Sequence, residues 1–221
     1  MTLAGKTALI TGSTQGLGLT AAQQFADAGC RIIANGFADG KYVGADLSKP
    51  AEIDAMIQAA GPIDILINNA VVRHTAPIES FDVDRWNESL AVNLSAAFHT
   101  IRLALPGMKS RGWGRIINIS SIYGQRGAAN RVGYVTTKTA LIGMTRAVAL
   151  EVVGTGVTCN AVCPGTVDTP QHRGADLTGK QPTGRLIPTD DVAAMLLFLC
   201  GPASGDINGS VLQIDAGWSS S

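Results

Sequence analysis

Short, continuously apolar runs alternate along this sequence with longer segments of helical period. The runs are rich in β-branched residues and are bounded by glycine or polar turns, which predicts buried strands. Strands that are apolar on both faces suit a parallel sheet covered by helices on either side, so the predicted fold class is α/β, a doubly wound parallel sheet. The strands are predicted at 7–10, 31–34, 63–67, 114–119, 157–162 and 210–214, and the helices at 18–28, 50–60, 83–111, 133–153 and 190–199.

The chain has 221 residues, of which 46% are hydrophobic and 15% are charged. This length can bury one sizeable core but is short for two, so we predict a single domain over 1–221. Lys plus Arg and Asp plus Glu both number 17, and the zero net charge carries no signature of binding to nucleic acid or to an anionic membrane. We expect the partner to be a small-molecule substrate, with neither nucleic acid nor membrane bound.

The apolar run near the N-terminus is interrupted at Thr11 and Gly12, which makes it too brief for a signal peptide or a membrane span. We therefore expect a cytoplasmic protein. The four cysteines are widely separated apart from the pair Cys159 and Cys163, and no histidine adjoins that pair. We predict reduced, mostly buried thiols and no metal site.

A glycine-rich turn, Thr11 to Gly18, lies between the first predicted strand and the first predicted helix. Its glycines follow the spacing G-x-x-x-G-x-G, a variant of the more common G-x-G-x-x-G. Glycine lets the backbone turn tightly and approach a pyrophosphate, whose charge the N–H groups and dipole of the helix start would meet. The turn predicts a Rossmann-like dinucleotide site, although a turn of this kind taken alone also occurs without a cofactor.

The second predicted strand ends at Asn35-Gly36-Phe37, without the acidic residue that binds the ribose hydroxyl in NAD enzymes. The glycine turn and the residues directly after the strand also contain no Arg or Lys to pair with a 2′-phosphate, and Gln15 occupies the position where one could be. Because the features that NADP requires are missing, we predict NAD as the cofactor, with NADP as the less favoured alternative.

Tyr134 and Lys138 are four residues apart in a predicted helix and therefore share one face. A tyrosine with the ordinary pKa of about 10 is a poor base near neutral pH, and a neighbouring ammonium group favours its phenolate. The pair suits proton exchange with an alcohol or a ketone. The same spacing arises often on exposed helices, so the surrounding motifs decide its meaning.

These motifs and several others resemble, in order and over essentially the whole chain, those of the short-chain dehydrogenase/reductase family. The others are Asp46-Leu47, the run Asn68-Asn69-Ala70-Val71 with Val71 in place of the family's glycine, Asn93, Ser121 thirteen residues before Tyr134, and Pro164-Gly165 with Val167 and Thr169.

The resemblance implies a catalytic tetrad. Ser121 would hydrogen-bond the substrate oxygen, Tyr134 would exchange its proton, Lys138 would lower the tyrosine pKa and hold the ribose, and Asn93 would anchor a water in a proton relay. The structural alternatives are a strand-end serine and a buried asparagine bonded to backbone. The implied cofactor-binding residues are Gly12, Ser13, Thr14, Gln15, Gly16, Leu17, Gly18, Asn35, Phe37, Asp46, Leu47, Asn69, Ala70, Val71, Tyr134, Lys138, Pro164, Gly165, Val167 and Thr169.

Closer similarity runs to the D-3-hydroxybutyrate dehydrogenase branch of the family. The segments that carry it are 74–79, 98–108, 113–118, 156–161 and 216–218.

Three pocket positions differ from that branch, because Arg73 replaces a glutamine, Tyr123 a histidine and Arg131 a lysine. Guanidinium groups bind carboxylates bidentately, so the two arginines predict an acidic or strongly polar hydroxy or oxo substrate, unless they are solvated surface residues. The predicted substrate-binding residues are Arg73, Ser121, Tyr123, Arg131 and Trp218.

Two segments are shorter than the family pattern. Residues 37–42 leave no room for the helix usually found between the family's second and third strands, and the lid at about 170–184 is brief and contains three glycines. A short lid would leave the site open to larger substrates. Family members form tetramers through helices that correspond to 83–111 and 133–153, so the resemblance implies a homotetramer or a homodimer.

The leading interpretation is an NAD-dependent dehydrogenase acting on a 3-hydroxy acid or a similar polar alcohol. The first alternative is an NADPH-dependent reductase of a 3-oxoacyl compound or another ketone. The second is a catalytically weakened member that binds a dinucleotide as a sensor, against which the intact tetrad argues.

Overall fold

The computed structural model describes residues 2–36, 44–177 and 180–220. Within these ranges, six strands form one parallel sheet in the order β2-β1-β3-β4-β5-β6. The doubly wound α/β fold predicted from the apolar runs is confirmed. The strands are β1 (Thr7–Ile10), β2 (Arg31–Ala34), β3 (Ile65–Asn68), β4 (Gly114–Ile119), β5 (Val157–Pro164) and β6 (Val211–Ile214), and the helices are α1 (Gly16–Asp27), α2 (Pro50–Ala60), α3 (Val83–Leu90), α4 (Ala96–Ser110), α5 (Val132–Glu151) and α6 (Thr189–Cys200).

Two hydrophobic clusters cover the two faces of the sheet. Ile10 and Ile67 point to the side on which α1 and α6 pack, whereas Leu9 and Leu66 point to the side of α2, α4 and α5. This alternation follows from the period of two in a strand. All four side chains are fully buried, and burial of each stabilises the fold by about 1.5–3 kcal/mol.

The sheet has a topological switch point beside β1. The chain runs from β1 to its neighbour β2 on one side and then crosses to β3 on the other side. In sheets of this kind, ligands bind beyond the carboxyl ends of the strands where the direction of winding reverses. The glycine turn follows β1 at this point, and Asn69 follows β3.

The helix predicted as one element over 83–111 is interrupted. Helices α3 and α4 are separated by a π-helical turn, Ala91–Ser95. The extra residue in this turn accompanies the buried side chain of Asn93, which hydrogen-bonds the backbone of Val72. Turns of this type are frequent at functional sites.

None of the helices in the described ranges is both long enough and apolar enough to cross a membrane. All four cysteines are buried and unpaired, as the sequence predicts.

Candidate active site

A cleft opens at the carboxyl ends of the strands. Its walls are the glycine turn, the segment after β3, the end of β4, the first turns of α5 and the segment that follows β5. The sequence-predicted residues that line it are Gly12, Thr14, Gln15, Gly16, Leu17, Asn69, Ala70, Val71, Arg73, Ser121, Tyr123, Arg131, Tyr134, Lys138, Pro164, Gly165, Val167, Thr169 and Trp218.

Close backbone packing explains the glycines of the turn. A Cβ atom at Gly18 would lie 2.2 Å from the carbonyl oxygen of Gly12, and one at Gly12 would lie 2.8 Å from the Cα atom of Ala70. Gly12 also has a φ of 63°, which disfavours other residues. The first turn of α1 is thereby pressed against the loops after β1 and β3.

Among the residues that the structure describes, no hydrogen-bond partner occupies the first N–H groups of α1, which leaves them available to a ligand. Its N-cap, Gln15, has an extended backbone and makes no side-chain capping bond, and the first turn contains no acidic residue. Gly16 and Leu17 both line the cleft. Free N–H groups and the positive end of a helix dipole bind anions, so these residues fit the pyrophosphate of a dinucleotide.

Hydrogen bonds join the loop after β3 to the glycine turn. The Nδ2 atom of Asn69 donates to the carbonyl oxygens of Thr11 and Gly12, both at 3.0 Å. The hydroxyl oxygen of Thr11 accepts from the backbone N–H groups of Asn69 and Ala70 at 2.9 and 3.0 Å. The two walls of the cleft are thus fixed relative to each other.

Five predicted cofactor residues do not line the cleft. Ser13 is fully buried and donates to the carbonyl oxygens of Ile10 and Asn35. Gly18 packs beneath the turn, as described above. The remaining three are Asn35, Asp46 and Leu47. The Nδ2 atom of Asn35 donates to the Ala45 carbonyl at 3.3 Å, and Leu47 lies in the core. The Asp46 carboxylate accepts a hydrogen bond from Ser48 and forms an ion pair with Lys49.

Phe37, also predicted to contact the cofactor, lies outside the described residues, together with residues 38–43.

Ser121, Tyr134 and Lys138 meet on one side of the cleft. Ser121 directly follows β4, and Tyr134 and Lys138 lie one turn apart on α5. The Lys138 ammonium donates to the carbonyl oxygen of Ile119 at 2.6 Å, which ties the side chain to the end of β4. The Ser120 hydroxyl donates to the Lys138 carbonyl at 2.7 Å and further joins the strand to the helix.

Positive charge surrounds the phenol of Tyr134. The Lys138 ammonium and the Arg73 guanidinium each lie 5.7 Å from the centre of the tyrosine ring, and Ser121 lines the cleft next to it. Burial opposes ionisation of the phenol, but these two charges, together with the polar groups of Ser121 and Arg73, outweigh it, so the pKa of Tyr134 lies below its ordinary value. The arrangement increases the fraction of phenolate available at a given pH.

Burial lowers the pKa of Lys138 below its ordinary value, and the Tyr134 phenolate acts in the opposite direction. Only 2% of the Lys138 surface is exposed, so its charge acts on the phenol with little screening by water.

Asn93 lies behind the cleft, with 2% of its surface exposed. Its Oδ1 atom accepts from the Val72 N–H at 2.8 Å, and its Nδ2 atom donates to the Val72 carbonyl at 3.0 Å and to the Thr137 hydroxyl at 3.3 Å. The side chain therefore fixes the segment next to Arg73 against α5.

All five predicted substrate residues line the cleft. The Arg131 guanidinium lies 5.7 Å from the ring centre of Tyr123, and that ring contacts Tyr134 and Trp218 edge to face at 6.4 and 5.3 Å. Arg73 donates from its guanidinium to the Gln171 side chain at 2.5 Å. Both arginines line the cleft, and Arg73 is exposed whereas Arg131 is half-buried, so the solvated position that the sequence left open holds for Arg73 as well.

Sequence reasoning missed several residues of the cleft. They are Ile119, Ser120, Ile122, Thr166, Pro170, Gln171 and His172. The first four lie within two positions of a motif residue, so their position in the sequence is a usable signal. The last three belong to the lid, where no apolar periodicity indicates which side chains turn inward.

The comparisons with known proteins agree with this geometry. Residues 6–178 match the family model for short chain dehydrogenases. The chain belongs to the short-chain dehydrogenase/reductase family. This dehydrogenase is 41% identical to D-beta-hydroxybutyrate dehydrogenase of Cupriavidus necator, with 98% of each chain covered, and 36% identical to 2-keto-3-deoxy-L-fuconate dehydrogenase of Xanthomonas campestris, with 98% of this chain and 81% of the relative covered.

The fold of this dehydrogenase is also close to those of solved relatives. A structure from Beutenbergia cavernae, provisionally described as an NAD(P)-dependent gluconate 5-dehydrogenase with bound NADP at low occupancy, is 34% identical and has a TM-score of 0.92, with 100% of this chain and 99% of that chain covered. The protein is therefore an oxidoreductase that interconverts secondary alcohols and ketones with a nicotinamide dinucleotide. The Cupriavidus alignment spans 254 positions against the 221 residues here, so that relative contains residues that this chain lacks.

Proposed function

We propose that this enzyme is an NAD-dependent dehydrogenase of a 3-hydroxy acid or a similarly acidic secondary alcohol. The observation that carries the proposal is the pair of cleft-lining guanidinium groups, Arg73 beside Tyr134 and Arg131 beside Tyr123. Both aromatic rings contact each other, so the two positive charges flank the tyrosine that would exchange the proton.

Ser121, Tyr134 and Lys138 handle the reacting oxygen. The Tyr134 phenolate accepts the proton of the substrate hydroxyl while the Ser121 hydroxyl donates a hydrogen bond to the same oxygen. A bound nicotinamide supplies the acceptor for the hydride that leaves the carbinol carbon. In the reverse direction, the Tyr134 phenol returns its proton to the alkoxide oxygen.

Lys138 and Asn93 support this exchange from behind the cleft. Lys138 keeps positive charge next to the phenol and would also hydrogen-bond the nicotinamide ribose. Asn93 holds the backbone of Val72 and would anchor the water through which protons leave.

The carboxylate of the substrate would bind between Arg73 and Arg131. A guanidinium donates two parallel hydrogen bonds to a carboxylate, which orients the acid and keeps its carbinol carbon beside Tyr134. The relatives named as D-beta-hydroxybutyrate dehydrogenases support a short 3-hydroxy acid as the substrate.

NAD is the proposed cofactor because Thr14 and Gln15, which line the turn side of the cleft, offer no charge to a 2′-phosphate. The NADP in the Beutenbergia structure makes the comparison of both dinucleotides part of the test.

We further propose that the enzyme is cytoplasmic and assembles as a homo-oligomer through α4 and α5, which expose Phe98 and Leu150. Light scattering after size-exclusion chromatography measures the oligomeric state, and a monomer would contradict the assembly.

The test of the substrate proposal compares 3-hydroxybutyrate with its neutral amide, using NAD and NADP and following the absorbance of the reduced nicotinamide. We expect the acid to be oxidised faster than the amide, with NAD preferred. Arg73→Met and Arg131→Met should each raise KM for the acid by about tenfold or more and change KM for the amide much less. Arg85→Met, which removes an exposed arginine on α3, serves as the control. Equal effects on acid and amide would refute the carboxylate site, and a strong preference for NADPH would refute the cofactor assignment.

A further inference from the structure

His172 is a half-buried lid residue that lines the cleft and takes no part in the proposed proton exchange. Its Nδ1 atom lies 2.9 Å from the carbonyl oxygen of Val167 and 3.2 Å from the hydroxyl oxygen of Thr169. A carbonyl oxygen can only accept, so Nδ1 carries a proton. In the neutral ring, Nε2 then has a free lone pair.

The surroundings of His172 keep the ring neutral. Burial lowers its pKa below the ordinary value, and the positive charges of Arg73, Arg131 and Lys180 act in the same direction, while the bond to the Val167 carbonyl opposes them. Nε2 is therefore a hydrogen-bond acceptor near neutral pH. It has no hydrogen-bond partner among the residues that the structure describes.

His172 lines the same cleft as Arg73 and Arg131, so the lid adds an acceptor to a lining that is rich in donors. Arg73 reaches across the cleft to Gln171, the residue next to His172, so the lid and the acid-binding groups lie close together. A short acid with one hydroxyl would engage Tyr134 and the arginines and leave Nε2 without a donor. A half-buried acceptor that loses water without gaining a partner weakens binding, and for this reason polar sites reject analogues that lack one hydroxyl.

We infer that His172 is a specificity-determining residue that accepts a hydrogen bond from a second hydroxyl of the substrate. The preferred substrates are then polyhydroxylated acids, which carry at least one hydroxyl besides the one that is oxidised. This inference rests on the proposed function, because it takes the carboxylate site and the role of Tyr134 as given.

Two substitutions separate the two nitrogen atoms of the ring. In His172→Asn, the amide nitrogen can replace Nδ1 and keep the bond to Val167, but no atom replaces Nε2. In His172→Gln, the longer side chain places an amide near the position of Nε2 and gives up the Nδ1 contacts. The pair therefore distinguishes a loss of substrate recognition from a loss of lid structure.

The experiment measures kcat/KM for both enantiomers of 3-hydroxybutyrate and of 3,4-dihydroxybutyrate, which differ by one hydroxyl. We expect the wild-type enzyme to prefer the dihydroxy acid by at least about tenfold. His172→Asn should abolish this preference, mainly by lowering kcat/KM for the dihydroxy acid, and His172→Gln should retain part of it.

The inference would be overturned if kcat/KM of the wild-type enzyme for the dihydroxy acid were no higher than for 3-hydroxybutyrate, or if His172→Asn left the ratio of the two values unchanged. In either case, oxidation of 3-hydroxybutyrate would still uphold the proposed function. Failure of the wild-type enzyme to oxidise either acid with NAD or NADP would refute the proposed function and the inference with it.

Discussion

The ammonium nitrogen of Lys138 lies 5.7 Å from the ring centre of Tyr134, one helical turn away, and both side chains are buried. The bond from Lys138 to the end of β4 fixes this separation. Arg73 adds a second positive charge at the same distance from the ring. The acidity of the phenol is therefore set by two cations that reach it from different parts of the chain.

Alcohol oxidation should depend on the ionisation of Tyr134. The phenolate is the base, so kcat/KM for oxidation should rise about tenfold per pH unit until the phenol is ionised. Because its pKa is lowered, this rise should end below the ordinary tyrosine pKa. Arg73→Met removes one of the cations and should therefore raise the pKa of Tyr134, so that kcat/KM reaches its plateau at a higher pH. A pH profile of kcat/KM with the neutral amide substrate measures this, and a profile that Arg73→Met leaves in place would contradict the role of the charge.

Gly18→Ala should damage the dinucleotide site. The new Cβ would lie 2.2 Å from the Gly12 carbonyl oxygen and 2.7 Å from Asn69 Nδ2, so the turn and the loop after β3 must separate. We expect NADH affinity to fall by at least about tenfold and the free energy of unfolding to drop by about 1–3 kcal/mol. Fluorescence titration with NADH and urea denaturation measure the two effects.

Gly205→Ala is the matched control for Gly18→Ala. Gly205 has a φ of −59° and is exposed, and the nearest atom to an added Cβ lies 4.0 Å away. The Gly205→Ala variant should bind NADH as tightly as the wild type, and its free energy of unfolding should be unchanged or higher by up to about 1 kcal/mol. Equal NADH affinity in Gly18→Ala and Gly205→Ala would show that the turn does not bind the cofactor.

Asn93→Ala should destabilise the fold as well as slow the reaction. It removes the bonds to both backbone groups of Val72 and to the Thr137 hydroxyl. Leaving buried polar groups unpaired costs about 1–3 kcal/mol each, so we expect the free energy of unfolding to fall by about 2–4 kcal/mol. Asn87→Ala, on the exposed face of α3, should change it by less than about 0.5 kcal/mol. Similar urea midpoints for the two variants would contradict the structural part of the role of Asn93.

The strands and the glycine turn could be predicted because their signals are local. Continuous apolar runs in β1 and β3 require burial on both faces, and the spacing of Gly12 and Gly18 reflects the close contact between their backbones. The four-residue spacing of Tyr134 and Lys138 likewise depends only on the helix period.

Features that depend on distant contacts could not be predicted. The π-helical turn at Asn93 accompanies hydrogen bonds to Val72, and no local pattern in 83–111 signals that interruption. The inward direction of Ser13 depends on two carbonyl oxygens that only the folded sheet brings together. The place of His172 in the cleft depends on its hydrogen bond to the Val167 carbonyl, and Val167 in turn pairs with Ile187.

The most direct test of the proposed mechanism is the turnover of Tyr134→Phe. Phenylalanine keeps the ring that contacts Arg73, Lys138 and Tyr123, so only the hydroxyl is lost. We predict that kcat for 3-hydroxybutyrate oxidation falls by about 10²-fold or more, while NADH affinity and Tm remain those of the wild type. A folded variant that binds NADH and retains kcat within about twofold of the wild type would contradict the assignment of Tyr134 as the acid-base group.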